Sequence, residues 1–249
     1  MKKTVLLALS AALALSACNK GSNPGNAAKT TGGGVAALAA QSNTDWTKTV
    51  VATPEGGFRM GNPDAPVKIV EFASMTCSHC AEFSAAAHAA LEDKYIKSGK
   101  VSFEFRNFVR DQIDVVASLL ARCGGPAPFF AITQQMFAEQ PEIFKRLEAG
   151  TAQLKAAEGL PGQQTFVRVA EVAGLDKFVG MRGIPASKAN ACLTNKADLD
   201  KLVEINQDAV KRYEIAGTPM FLINGKVVDA PARLEPWAYL KPAIDAAIR

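Results

Sequence analysis

A C-x-x-C motif, Cys77-Ser78-His79-Cys80, constrains the fold of this chain more than any other feature. It follows the apolar run 67–72, which is typical of a central strand buried on both faces, and it opens the helix-forming stretch 77–98. A C-x-x-C motif between a strand and a helix indicates thiol–disulfide chemistry. The dipole and the free N–H groups of a helix N-terminus favour the thiolate of the first cysteine. We therefore predict that Cys77 is the reactive sulfur.

The rest of the chain predicts an α/β fold interrupted by a long helical stretch. Residues 101–105 alternate like a strand, so the motif would lie at the crossover of a βαβ unit. Residues 217–228 return to strand, with Asn224-Gly225 as a tight hairpin signal, and a helix follows from 234 to 248. Between these halves the sequence predicts helices separated by Gly or Pro, at 111–124, 126–138, 141–158, 163–173 and 188–216.

These patterns divide the folded part into three segments. We expect the first at 46–110, with a short edge strand at 49–51, a helical insertion at 111–212, and a closing segment at 213–249.

The N-terminus has the pattern of a secretory signal peptide at 1–17. Lys2-Lys3 is a charged start, and the apolar run 5–15 is too short to span a bilayer as a stable helix. The following Leu15-Ser16-Ala17-Cys18 resembles the lipobox of bacterial lipoproteins, which implies lipidation of Cys18, and Asn19 after it favours the outer membrane. The alternative is an ordinary small-residue cleavage site that abuts a cysteine. Residues 18–45, rich in Gly, Asn, Ser, Thr and Ala, are predicted to be a flexible tether.

The cysteine count is consistent with lipidation. Five cysteines are an odd number for an exported protein, and assigning Cys18 to lipid leaves four. Beyond the C-x-x-C pair, Cys123 and Cys192 then form a candidate structural disulfide in an oxidising compartment. Two buried free cysteines are the alternative.

Composition excludes one class of partner. The net charge is only +4, and no basic run is interleaved with aromatic residues, so we expect no nucleic-acid binding.

Taken together, these motifs resemble the DsbA-like thiol oxidoreductases of bacterial cell envelopes. The resemblance covers 61–249 and is carried by Glu71-Phe72, the C-x-x-C motif, Cys123, Ala191-Cys192-Leu193, Gly217-Thr218-Pro219 and Asn224-Gly225. It implies a thioredoxin fold with an inserted helical domain and chemistry that needs no cofactor or metal.

The resemblance also implies roles within the motif. Cys77 would be the exposed sulfur that a substrate thiolate attacks, and Cys80, one helical turn further in, would be the buried resolving partner. The imidazole of His79, or its backbone N–H, would stabilise the Cys77 thiolate. The family oxidase typically has proline at the position of Ser78, and this departure bears on the redox potential.

Two further site residues come from outside the motif. The Thr218-Pro219 bond is expected to be cis and to lie beside Cys77, where the Thr218 backbone could pair with an extended substrate segment. Glu71 would relay a proton to Cys80. The alternatives are an ordinary turn proline and a solvated glutamate.

We therefore expect a periplasmic dithiol oxidase, anchored by lipid, that introduces disulfides into reduced exported proteins and is recharged by a membrane redox partner. The first alternative is a reductase or isomerase on the same fold. The second is a lipoprotein that binds metal or protein without catalysis, with Cys77, His79 and Cys80 as possible ligands.

Overall fold

A computed structural model describes residues 44–249 of the protein. The predicted signal peptide at 1–17, Cys18, and all but the last two residues of the predicted tether lie outside the described residues.

Six strands form one mixed sheet with the order β1-β2-β4-β3-β5-β6. β3 lies in the middle, parallel to β4 and antiparallel to β5. In chain order, the strands are β1 Val50–Ala52, β2 Phe58–Gly61, β3 Val67–Ala73, β4 Val101–Asn107, β5 Met220–Ile223 and β6 Lys226–Val227. The predicted α/β thioredoxin fold is confirmed.

β3 is buried on both faces because helices and loops cover each side of the sheet. Val67 and Ile69 belong to the main core, while Phe72 belongs to a smaller cluster with Leu222 on the opposite face. Alternation along a strand therefore directs the side chain of Glu71 toward the main core. Because both faces of β3 are covered, most of its residues are apolar, which explains the near-continuous apolar run in the sequence.

Helix α1, Ser78–Ala90, begins directly after Cys77 and continues as a wider turn at Leu91–Ile96. Between β4 and β5 the chain forms α2 Gln112–Arg122, α3 Pro126–Ala138, α4 Gln140–Ala149, α5 Thr151–Ala157, α6 Gln164–Ala173, α7 Leu175–Gly180, α8 Ala186–Thr194 and α9 Lys196–Tyr213. The last helix is α10, Pro236–Ala247. Within residues 44–249, no helix is both long enough and apolar enough to cross a membrane.

Three local predictions differ from the structure. The helix predicted at 188–216 is two helices, because Asn195 has an extended backbone and its side chain accepts a hydrogen bond from the N–H of Ala197, which starts α9. The helix predicted at 141–158 is divided at Gly150 into α4 and α5. β2 and the short α7 were not predicted, and β2 has four residues whose partners are on β1 and β4.

The hairpin at Asn224-Gly225 is confirmed. Both residues have positive φ, 50° and 80°, as a type I′ turn requires. The side chain of Asn224 also accepts a hydrogen bond from the N–H of Lys68 at 2.8 Å, which fixes the turn to the start of β3.

Candidate active site

The two cysteines of the motif occupy the first turn of α1. Cys77 is the N-cap residue, and Cys80 lies one turn into the helix. Both are present as thiols and both are buried, with 5% of Cys77 and 0% of Cys80 accessible. The prediction that Cys77 is exposed is therefore wrong. The residue is buried because Thr218 lies against its sulfur.

The surroundings of Cys77 favour its thiolate. Its pKa falls from 9.0 to about 5, chiefly through a hydrogen bond from the Cys80 thiol. Burial opposes this shift, while hydrogen bonds from the side chain of Thr218 and the backbone N–H of Cys80 add to it, as does the positive charge of Arg110. At neutral pH, Cys77 is therefore a thiolate.

The surroundings of Cys80 favour its protonated thiol instead. Burial raises its pKa well above 9.0, and the hydrogen bond to Cys77 and the charges of Glu71 and Cys77 raise it further. The pair therefore consists of one thiolate and one thiol across the same helical turn. The first sulfur is thus the more readily ionised of the two.

The Thr218-Pro219 peptide bond is cis and lies directly before β5. The carbonyl oxygen of Thr218 accepts a hydrogen bond from the Cys77 thiol, with 3.2 Å between sulfur and oxygen. The Thr218 hydroxyl oxygen is buried and has no other partner among residues 44–249, so it can donate to the sulfur once Cys77 ionises. Cys77 and Thr218, which are 141 positions apart in the sequence, are thus in contact, as predicted.

Glu71 lies in the middle of β3, opposite Phe105 on β4 and Phe221 on β5. Only 1% of it is accessible, and its Oε1 atom has no hydrogen-bond partner in the described part of the chain. Burial raises the pKa of this carboxyl well above 4.5, and the charge of Cys77 raises it further. The alternative of a solvated glutamate is contradicted by this burial, and the side chain is held as a carboxylic acid.

The side chain of His79 is hydrogen-bonded within α1. It is exposed, and its Nδ1 atom lies 2.9 Å from Oε2 of Glu82, one turn further along α1. This hydrogen bond is the main reason that the pKa of His79 is raised above 6.5, and the charge of the Cys77 thiolate contributes less. Among the described residues, the imidazole is therefore hydrogen-bonded to Glu82 and not to Cys77.

Two concavities flank the Thr218-Pro219 bond. One, of about 280 Å³, is bordered by His79, Leu234 and Tyr239, and the other, of about 380 Å³, by Met220, Val228 and Tyr239. Both include Thr218 and Pro219 in their walls. An extended chain that reaches Cys77 thus has apolar surface on either side.

A family model described as Thioredoxin matches residues 53–245. This chain belongs to the thioredoxin family. The crystal structure of a protein-disulfide isomerase from Novosphingobium aromaticivorans is 31% identical and superposes with a TM-score of 0.70 over 77% of this chain and 96% of that one. Wolbachia pipientis alpha-DsbA1, 22% identical, has the same fold, with a TM-score of 0.59 over 80% of this chain and 93% of that one.

A Rickettsia bellii protein provisionally named a protein-disulfide oxidoreductase is 26% identical over 180 residues, which are 72% of this chain and 61% of the relative. The chain therefore spans about three fifths of the length of that relative. The resemblance to DsbA-like oxidoreductases that the motifs carry is confirmed.

In this thioredoxin-family chain a disulfide joins Cys123, at the end of α2, to Cys192 in α8. The two Cα atoms are 5.8 Å apart, within the usual range for a disulfide. The alternative of two buried free cysteines does not describe this structure, in which both residues are partly accessible.

Metal binding by the C-x-x-C motif has little support in the geometry. Among the described residues, the one cluster with metal-ligand spacing consists of His79, Glu82 and Glu235, whose ligand atoms lie within 4.8 Å of one another. All three are exposed, and neither cysteine belongs to the cluster. The cysteines are instead hydrogen-bonded to each other and to Thr218.

Sequence reasoning missed three polar residues that contact the segment before α1. Arg110, Asp114 and Gln140 come from the loop after β4, from α2 and from α4. A signal for the first two exists, because the carboxyl ends of parallel strands meet at one edge of a sheet, and Arg110 follows β4 as Cys77 follows β3. No local pattern indicates Gln140.

Proposed function

We propose that this protein is a thiol–disulfide oxidoreductase that oxidises dithiols of exported proteins through a Cys77–Cys80 disulfide. The observation that carries the proposal is that the two thiol pKa values shift in opposite directions, to about 5 for Cys77 and well above 9.0 for Cys80. A stabilised Cys77 thiolate favours the reduced form, which makes the disulfide a stronger oxidant.

The reaction begins when a substrate thiolate attacks Cys77 Sγ in the disulfide form. The Cys77–Cys80 bond breaks, Cys80 leaves with the electron pair, and a mixed disulfide joins the substrate to Cys77. A second substrate thiolate then attacks the substrate sulfur of the mixed disulfide, and Cys77 leaves as a thiolate. The substrate gains one disulfide, and the protein gains two electrons.

Glu71 would supply the proton that Cys80 takes up when it leaves. Burial favours the protonated form of its carboxyl, which faces the core beneath α1, and a Glu71 carboxylate would oppose an anion at Cys80. Transfer of this proton leaves a carboxylate that solvent reprotonates between turnovers.

Substrate would bind beside the Thr218-Pro219 bond. The backbone of Thr218 lies beside Cys77, where it could pair with an extended segment, and the two flanking concavities could take side chains of that segment. Reduced or unfolded proteins present such segments.

The proposal includes a site of action outside the cytoplasm. The Cys123–Cys192 disulfide suits an oxidising compartment, and the N-terminal pattern suits export with a lipid on Cys18. A membrane redox partner would reoxidise the pair. We propose the periplasm, with outer-membrane anchoring.

The runner-up function is reduction or isomerisation of existing disulfides. It is favoured by Ser78 in place of the usual proline and by the similarity to a protein-disulfide isomerase. Equilibration of the protein with glutathione buffers separates the two. A potential more positive than about −180 mV supports the oxidase, and one near −270 mV, as in thioredoxin, overturns it.

We predict that Glu71→Gln changes both the pH dependence of stability and the rate of resolution. An acid whose pKa is raised in the folded state loses stability as pH rises from its ordinary value of 4.5 toward the raised value. The neutral amide removes this loss, so the variant should gain stability relative to the wild type at pH 8 but not at pH 4. Release of Cys80 should become slower.

Denaturant unfolding at both pH values and single-turnover oxidation of a dithiol peptide measure these two effects. Glu148→Gln, on the exposed side of α4, is the matched control and should change neither. Identical pH profiles for Glu71→Gln and the wild type would contradict the buried acid.

A further inference from the structure

The four-residue segment Ser74–Cys77, which joins β3 to α1, is held by side chains from elsewhere in the chain. Gln140 donates its Nε2 hydrogens to the carbonyl oxygens of Met75 and Cys77 at 2.9 and 3.2 Å. Asp114 accepts from the N–H of Met75 at 2.8 Å. The position of Cys77 at the helix start therefore depends on α2 and α4.

Arg110 holds the two remaining residues of this segment. Its Nε atom donates to Ser74 Oγ at 2.9 Å, and its Nη2 atom donates to Thr76 Oγ1 at 3.2 Å. The backbone N–H of Arg110 donates to Asp114 at 3.0 Å, so the same carboxylate ties the loop after β4 to the segment. The guanidinium is thereby fixed one residue before Cys77.

The guanidinium of Arg110 forms no salt bridge within residues 44–249. The arginine ion pairs within residues 44–249 involve Arg106, Arg146, Arg168 and Arg212, and none involves Arg110. Asp111 is the nearest acid in sequence, and it accepts a hydrogen bond from Thr76 Oγ1 at 3.2 Å rather than from the guanidinium. The carboxylates of Asp111 and Asp114 therefore lie near Arg110, but among the described residues its guanidinium is paired directly with neither and is hydrogen-bonded instead to Ser74 and Thr76.

We propose that Arg110 is a positioning residue for the redox motif, which holds the Ser74–Cys77 segment and places a permanent positive charge next to the Cys77 thiolate. The proposal rests on the assignment of Cys77 as the redox-active sulfur. It adds a determinant of the redox equilibrium that lies outside the C-x-x-C motif and replaces part of the role that sequence reasoning gives to His79.

Other groups that act on Cys77 come from α1, from β3 and from the segment before β5, where the Thr218 carbonyl oxygen accepts a hydrogen bond from its sulfur. Cys80 and His79 lie on α1, and Glu71 lies on β3 beneath it. Glu71 disfavours the thiolate when ionised, His79 favours it when protonated, and Cys80 favours it by hydrogen bonding. Arg110 differs from them because it reaches the motif from the loop after β4 and also holds the preceding segment by hydrogen bonds to Ser74 and Thr76.

Arg110→Met and Arg110→Lys test this inference in the full protein. The thiolate absorbance of reduced protein, titrated with pH, reports the pKa of Cys77 without any substrate. Arg110→Met should raise that pKa by about 0.5 to 1 unit, since an opposite charge nearby lowers a pKa by 1 to 3 units and this one is exposed to solvent. The thiolate fraction at pH 5 should then fall about twofold to fivefold.

Arg110→Lys should restore most of the wild-type pKa, because it keeps the charge, and the difference between the methionine variant and the wild type should shrink in high salt. Arg168→Met, which removes an exposed arginine on α6, is the matched control and should leave the pKa of Cys77 unchanged. Unfolding curves for all variants verify that they are folded.

An unchanged pKa in folded Arg110→Met overturns the inference. A lysine variant that behaves like the methionine variant also overturns it, because the guanidinium would then act only as a structural clamp. Neither result depends on whether the protein oxidises or reduces its substrates. Failure of the inference is therefore distinguishable from failure of the proposed function, which the glutathione equilibrium tests.

Discussion

Replacing Cys77 with serine is expected to abolish dithiol oxidation and mixed-disulfide formation, while the protein remains folded. The reason is that Cys77 is the sulfur of the pair that ionises below neutral pH, whereas Cys80 stays protonated beneath it. With serine at position 77, no disulfide can form for a substrate thiolate to attack.

Alkylation of the reduced protein at pH 6 measures the same property directly. With a pKa of about 5, Cys77 is about nine-tenths thiolate, against about one part in a thousand for a thiol of pKa 9.0. The lower intrinsic nucleophilicity of an acidic thiolate reduces this advantage by roughly 60-fold. A single site should therefore react about ten times faster than an ordinary thiol.

Cys80→Ser is the matched control for this experiment. It keeps the reactive sulfur, so alkylation should continue, and the mixed disulfide formed with a disulfide substrate should accumulate because nothing resolves it. Preferential labelling of Cys80, or turnover by Cys77→Ser, would contradict the assignment of the two roles.

The double substitution Cys123→Ala and Cys192→Ala is expected to lower the free energy of unfolding by about 4 kcal/mol. The disulfide closes a loop between residues 69 positions apart and so lowers the entropy of the unfolded chain. Removing it stabilises the unfolded state by about 4 kcal/mol in the chain-entropy relation. Both cysteines are replaced together so that no unpaired thiol remains at the contact between α2 and α8.

Denaturant unfolding measures this change. In a background that carries Cys77→Ser and Cys80→Ser, addition of reductant should destabilise the chain that keeps Cys123 and Cys192 by the same amount, and it should not affect the alanine variant. A loss below about 1 kcal/mol would contradict a structural role for the bond. In the double alanine variant that keeps Cys77 and Cys80, the glutathione equilibrium of the C-x-x-C pair should remain close to that of the wild type.

Several features of the fold and site could be predicted because their signals are local. The apolar run at β3 followed by C-x-x-C, the Asn224-Gly225 turn, and the helices with Gly and Pro boundaries each depend on residues within a few positions of one another. The predicted helix 188–216 was wrong because the side chain of Asn195 caps the start of α9 without a Gly or Pro signal, whereas the division of 141–158 falls at Gly150.

The environment of the site could be predicted only in part. The sequence indicated an acid at Glu71 but left its burial open, because a strand does not reveal which of its faces will be covered. It assigned thiolate stabilisation to His79, whose partner in the structure is Glu82. A neighbour three positions away on a helix competes for the imidazole.

The sequence by itself determined the redox motif: the pair Cys77 and Cys80, the helix that begins after Cys77, and the family to which such a pattern belongs. The tertiary structure alone decided what surrounds them. Thr218 and Gln140 reach Cys77 from 141 and 63 positions away, and Arg110 reaches Thr76 from 34 positions away, through hydrogen bonds that leave no periodic signal in the chain. Charge and burial at Cys77 depend on those contacts, and they form only when the sheet and helices pack.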